Sequence, residues 1–185
     1  MTLEEIRKDI DKTDNEIKRL FTDRMRLSEE VVKVKAKNGG DIYKPEREAE
    51  LIERLSKDVS DDIKDEYVSF IKHILVLSRK YQYGRITELS DTGMTEARSL
   101  TESILPGHDR IRIMLGSKEK KADPLKVLSV IAVYGEKVSS VSYDEKKGTL
   151  EIELTADILR RDTMVMLYHL SKESDGFRIV GSYTA

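Results

Sequence analysis

The chain has 185 residues, and its 33 basic and 35 acidic residues nearly cancel, giving a net charge of -2; that balance excludes a general nucleic-acid or anionic-membrane binder, which would carry a basic excess. It has no cysteine, which excludes disulfides and thiolate metal sites, and its three scattered histidines lack metal-ligand spacing. Apolar runs fall short of the ~20 residues that span a bilayer, and no basic-then-apolar leader opens the sequence, so a cytoplasmic protein is expected.

The periodicity predicts a first helix over residues 2–37, with Thr2 as N-cap and Asn38-Gly39-Gly40 as the stop. Its seam is Leu3, Ile6, Ile10, Thr13, Ile17, Leu20, Arg24, Leu27, Val31 and Val34, spaced alternately by three and four as in a heptad pattern. At ~1.5 Å per residue such a helix is ~50 Å long, beyond the ~30 Å of a small domain. The two shorter helices that follow cannot cover it, so an intertwined homodimer is expected. The second helix starts at Pro45, suited to a first turn, and runs to about Lys57. Ser60-Asp61-Asp62 is expected to cap a third helix with the stripe Ile63, Tyr67, Ile71, Ile74, Ser78 and Gln82.

Residues 87–109 are mixed and polar, with Gly93, Pro106 and Gly107, and read as a linker holding a short helix over 95–103. Beyond it the grammar changes. Residues 110–117 read as a strand, and Asp123-Pro124 opens a helix that ends at Gly135. Residues 138–143 and 150–154 read as a hairpin around Lys147-Gly148. Asp157 is expected to cap a helix through Leu159, Met164, Leu167 and Leu170, and 177–183 form the last strand. The order βαββαβ is the ferredoxin-like arrangement. The organisation expected is therefore an all-α domain over 1–86, a linker over 87–109 and an α+β domain over 110–185.

The informative residues break the apolar pattern. Arg24 sits within the first seam, where an unpaired guanidinium would be costly and so calls for an anionic partner. Lys35 lies three turns on, nearly on the same face. Ser78 and Gln82 continue the buried stripe of the third helix, and Arg47 and Glu48 occupy the first turn of the second. Each has an ordinary explanation taken singly: Arg24 as an ion-pair or register-setting residue, Lys35 and Glu48 as partners of helix dipoles, Ser78 and Gln82 as satisfied core polars, Arg7 as surface. Together they suit a polar pocket inside a helical bundle, rich in cations and able to hold a small dianion.

This joint pattern resembles the all-helical chorismate mutase family over essentially all of residues 3–83. The resemblance is carried by Ile6-Arg7 with Asp14, Asp23-Arg24, Val34-Lys35, Pro45-Glu46-Arg47-Glu48 and Ser78-Arg79-Lys80-Tyr81-Gln82. It implies an intertwined dimer, with each site built from the long helices of both chains. It also implies the Claisen rearrangement of chorismate to prephenate in aromatic amino-acid (Phe/Tyr) biosynthesis on the shikimate pathway, with no cofactor and no metal. By the same resemblance Arg24, Arg47 and Arg7 from the partner chain grip the substrate's two carboxylates. Lys35 and Gln82 donate to the ether oxygen, Glu48 binds the ring hydroxyl, and Ser78 holds the ring carboxylate. Arg7 lies ~100° around the helix from Arg24 at ~100° per residue, which agrees with its serving a different site. One departure is Lys44, at a position three before the Arg-Glu pair where many members carry an acid.

The second half resembles ACT domains, the amino-acid-sensing modules of metabolic enzymes. The points of likeness are Asp123-Pro124-Leu125-Lys126-Val127-Leu128 and Val180-Gly181-Ser182-Tyr183. It implies allosteric regulation, with phenylalanine, tyrosine or prephenate as the effector; the segments Asp123-Pro124-Leu125 and Ser142-Tyr143-Asp144 depart from those of a phenylalanine-binding member. The competing readings are a non-catalytic helical scaffold with a ligand-sensing tail, in which Arg24 would pair with a protein carboxylate, and an isochorismate pyruvate lyase, a related branch for which the sequence carries no signal.

Overall fold

A computed structural model describes residues 1–157 and 160–184. The first helix, α1 (Leu3–Asn38), opens on a reciprocal cap in which the Thr2 hydroxyl accepts from the Glu5 amide and the Glu5 carboxylate accepts from the Thr2 amide. It ends where the Gly39 amide returns to the Lys35 carbonyl. Short helix α2 (Pro45–Ser56) starts on its proline, and α3 (Lys64–Leu89) lies against both. The expected Ser60-Asp61-Asp62 cap is not formed. The Ser60 hydroxyl bonds the Asp62 carboxylate and its carbonyl receives the Ile63 amide, so those groups close a turn and α3 begins after Ile63 without a side-chain cap.

On α1 only Ser28 and Val32 are buried, whereas Leu3, Leu20, Leu27 and Val34 are all more than half exposed. The face turned to α3 carries Arg24, Ser28, Val32 and Lys35, so the apolar seam points elsewhere and no element among the described residues covers it. The C-terminal part of α3 is buried on two sides. Leu75 and Ser78 face the helical half, while Val76 and Tyr83 join the core of the α/β half.

Residues 91–101 form α4 (Asp91–Thr101), with the Ser90 hydroxyl accepting from the Gly93 amide. This helix is longer and starts earlier than the one expected over 95–103. It packs against α3 and the later α6, with Ala97 fully buried, so the stretch read as a linker is a packed element.

The remaining elements are β1 (Arg110–Leu115), α5 (Pro124–Tyr134), β2 (Lys137–Asp144), β3 (Thr149–Thr155), α6 (Arg161–Glu173) and β4 (Arg178–Tyr183). The sheet is antiparallel in the order β2-β3-β1-β4, as the ferredoxin-like reading requires. Alternation along β1 and β3 sends Ile111, Ile113, Leu115, Leu150, Ile152 and Leu154 into the core, while Arg112, Glu151 and Glu153 pair on the other face. Helix α5 is capped by Asp123 and closed by a left-handed Gly135, as its sequence predicts. Helix α6 differs from expectation: it starts at Arg161 after Arg160 rather than on an Asp157 cap, and Leu159 lies outside the described residues. No helix among the described residues is long and apolar enough to cross a membrane.

Three backbone segments meet where Gly116 follows β1. Its φ is +84°, and a Cβ there would run into the Gly148 carbonyl and the Ala122 amide. Gly116→Ala is expected to cost about 3 kcal/mol or more in a denaturant titration, from strain plus displacement of those loop segments. Gly84 lies inside the last two turns of α3 with open space where a Cβ would stand, so Gly84→Ala is expected to stabilise by roughly 0.5–1 kcal/mol in the same measurement.

Candidate active site

A cleft of about 160 Å³ opens between α1, the α1–α2 connection, the first turns of α2 and the middle of α3. Helix α1 lines it with Arg24, Ser28, Val31 and Lys35, whose spacing of four, three and four keeps them on one face. The connection adds Ile42 and Lys44. Pro45 fixes the start of α2, so Arg47 and Glu48 fall in its first turn and Leu51 one turn later. Helix α3 supplies Leu75, Ser78, Arg79 and Gln82.

Six residues singled out in the sequence thus converge on one cleft: Arg24, Lys35, Arg47, Glu48, Ser78 and Gln82. Arg7 stands apart, exposed near the start of α1; the seventeen residues to Arg24 put it ~25 Å away along the helix at ~1.5 Å each. Two polar wall residues, Ser28 and Arg79, were given no role in the sequence reading. Ser28 is one turn after Arg24, a signal the heptad reading passed over. Arg79 is one position off the stripe through Ser78 and Gln82, and only packing from the other half of the chain makes its direction an interior one.

The hydroxyls form a directed chain. Gln82 Nε2 donates to Ser78 Oγ at 3.4 Å, the two serine hydroxyls lie 2.8 Å apart, and Ser28 Oγ donates to the Arg24 carbonyl at 3.1 Å. Because Ser28 gives its proton to the backbone, Ser78 is the donor between the serines. Lys35 Nζ donates to the carbonyls of Asp41 at 2.6 Å and Ile42 at 3.2 Å, which ties the connection to α1 and leaves one ammonium proton for another acceptor.

The electrostatics are one-sided. Arg24, Lys35, Lys44, Arg47 and Arg79 line the cleft with a single carboxylate, Glu48. Burial lowers the proton affinity of Arg24, and the nearby Glu48 charge offsets part of this. Burial lowers that of Lys35 too, and the Lys44 and Arg47 charges lower it further. Arg24 Nη1 is buried without a hydrogen-bond partner among the described residues, so at least one of its donors is free for another acceptor. Glu48 is held by Arg79, whose Nη1 lies 2.5 Å from its Oε2. A small molecule with two negative groups and a hydroxyl would relieve the cation excess and find an acceptor. Among the described residues no cluster of metal-ligating side chains occurs.

Residues 6–83 match the family described as chorismate mutase type II. The helical segment is a chorismate mutase type II domain. A stretch of 60 residues is 43% identical to the bifunctional chorismate mutase/prephenate dehydratase of Aquifex aeolicus (strain VF5), covering 31% of this chain and 17% of that protein. No solved structure gives a significant match. The mutase domain ends within α3, so the cleft lies inside the matched span, and α4 and the sheet lie beyond it.

The paired serines at the floor of the mutase cleft yield a stability prediction. Ser28→Ala strips Ser78 of its buried acceptor and is expected to cost about 1–3 kcal/mol in thermal or denaturant unfolding. Adding Ser78→Ala should cost much less than in the wild-type background, a coupling of roughly 1 kcal/mol in a double-mutant cycle.

Proposed function

We propose that the protein rearranges chorismate to prephenate, as a homodimer whose C-terminal half regulates the reaction. The reading is carried by one observation: a half-buried Arg24 whose buried Nη1 has no hydrogen-bond partner among the described residues, facing a cleft that also holds Lys35 and Glu48. In the rearrangement the ether C–O bond breaks as a C–C bond forms within one molecule, so no group leaves and no external proton, electron or cofactor is needed. Catalysis then consists of holding the folded conformer and stabilising charge on the ether oxygen as it develops.

The proposed roles follow from what each side chain has to offer. Arg24 and Arg47, with Arg7 from a second copy of the chain, clasp the two carboxylates. Lys35 gives its remaining ammonium proton to the ether oxygen, and Gln82, whose amide uses one proton on Ser78, gives its other. Glu48 is held through Oε2 by Arg79, which leaves Oε1 to accept from the ring hydroxyl. Ser78 steadies the ring carboxylate by turning its hydroxyl proton from Ser28 to the substrate. The dimer is supported by the uncovered seam of α1, where Leu3, Leu20, Leu27 and Val34 are each 56–68% exposed; apolar area of that extent on a ~50 Å helix marks an association surface. Regulation by phenylalanine, tyrosine or prephenate is supported by the ferredoxin-like topology and its direct packing on α3.

Purified protein is expected to consume chorismate, followed by its absorbance, with prephenate as product; inactivity on chorismate alongside pyruvate release from isochorismate would move the assignment to the lyase branch. Lys35→Ala is expected to lower kcat by roughly 10²–10³-fold, the usual loss for one donor at a developing oxyanion; near-wild-type turnover would remove Lys35 from its role. Leu20→Glu is expected to convert a dimer to a monomer by light scattering and to abolish turnover with it.

A further inference from the structure

A buried polar chain runs from the cleft into the α/β half. Arg79 and His169 are almost fully buried, and the Glu173 side chain is 1% exposed. Arg79 spans two carboxylates. Its Nη1 holds Glu48 of α2, and its Nε lies 2.7 Å from Oε1 of Glu173 at the end of α6, an ion pair whose N–H is not aimed at that oxygen. Behind Glu173, His169 Nε2 is 2.8 Å away and Tyr134 Oη is 3.1 Å from His169 Nδ1. A carboxylate can only accept, so His169 carries its proton on Nε2 and accepts from Tyr134 through Nδ1. Burial keeps His169 neutral and Tyr134 protonated. Lys126 of α5 donates to the Glu173 carbonyl at 2.9 Å and sits 4.0 Å over the Tyr43 ring.

This arrangement is more than a satisfied core. With Glu48 as its only carboxylate, Arg79 would neutralise it and draw it toward the α/β half, away from the cleft. A second carboxylate on the opposite side of the guanidinium divides that pull, and the extra negative charge it brings is balanced by Lys126, whose Nζ lies 3.9 Å from Glu173 Oε2. Burial works against the Arg79 cation, but the two carboxylates outweigh it. The one acid that lines this cleft of five cations among the described residues is thus tied through Arg79 to a residue outside the matched span.

We propose that Glu173 is a positioning residue for this cleft: acting through Arg79, it sets where Glu48 stands and how much charge it presents, which makes the end of α6 part of the catalytic unit. The proposal rests on the mutase reading, with Glu48 accepting from the substrate hydroxyl. It gives that reading a defined route, because any movement of α6 must shift Glu173 against Arg79.

The test is chorismate kinetics on the full-length protein, with circular dichroism and melting temperature recorded alongside. Glu173→Gln keeps the side chain's size and removes its charge. It is expected to raise KM at least fivefold while kcat changes less, since a contact made before and during reaction is weakened. In an Arg79→Gln background the same substitution should change KM less than twofold, because its route to Glu48 is gone. A folded Glu173→Gln protein with wild-type KM and kcat would overturn the proposal. So would a KM effect of equal size in both backgrounds, which would mean that Glu173 acts by another path. Should Glu173→Gln fail to fold, Glu173→Asp takes its place. It keeps the buried charge but withdraws it from Arg79, and a KM within twofold of wild type overturns the proposal. No chorismate turnover by the wild type removes the mutase reading itself and this proposal with it, whereas normal turnover with inert Glu173 variants removes this proposal alone.

Discussion

Taking a guanidinium or ammonium group out of water is tolerable only where negative charge meets it, and this molecule concentrates that demand in one place. Five basic side chains line a cleft that has a single acid. Two are answered within the chain: Arg79 by Glu48 and Glu173, and Lys35 in part by the carbonyls of the α1–α2 connection. Arg24 is answered only in part, by the Glu48 charge, and its buried Nη1 has no hydrogen-bond partner among the described residues. Surrounding features serve this imbalance. The Gln82–Ser78–Ser28 chain fixes the floor, Pro45 fixes the first turn that presents Glu48 and Arg47, and Lys35 clips the connection in place.

Helix α3 is shared by both halves of the chain. One of its sides gives Leu75, Ser78 and Gln82 to the cleft, and the other gives Val76 and Tyr83 to the core beneath the sheet. Arg79 lies between the two sides and reaches both. The Tyr83 ring stacks on His169 at 4.3 Å, and α4 fills the angle between α3 and α6. Displacing the α/β half from α3 would therefore open apolar surface and strand a buried charge at once. A rigid junction of this kind is what a signal from the sheet domain to the mutase domain would need, since coupling requires contacts that differ between states.

Much of this was legible in the chain. The long first helix, with its Thr2 cap and glycine stop, follows from strong local signals, as do α5 between Asp123 and Gly135 and the hairpin at Gly148. The cleft-lining residues were legible for a related reason: Arg24, Ser78 and Gln82 interrupt apolar stripes, and polar groups held at interior positions need partners. The errors have a common cause. Ser60-Asp61-Asp62 has capping chemistry, but a side chain that can cap can also close a turn, and α6 starts at Arg161 rather than directly after Asp157. The 87–109 stretch is polar enough to pass for a linker, yet Ala97 and Ile104 are buried because α3 and α6 stand on either side.

The sequence by itself determined the elements, their order and the chemical character of the cleft, because helix and strand periods, caps and misplaced polar residues are written within a few turns of chain. Only the tertiary structure decided which faces became interior. It turned the apolar seam of α1 away from α3, buried α3 on two sides, and brought Glu173 across the fold to Arg79. Pairing between residues so distant in the chain leaves no local pattern; it exists only once α6 has packed against α3 and the two charges are enclosed together.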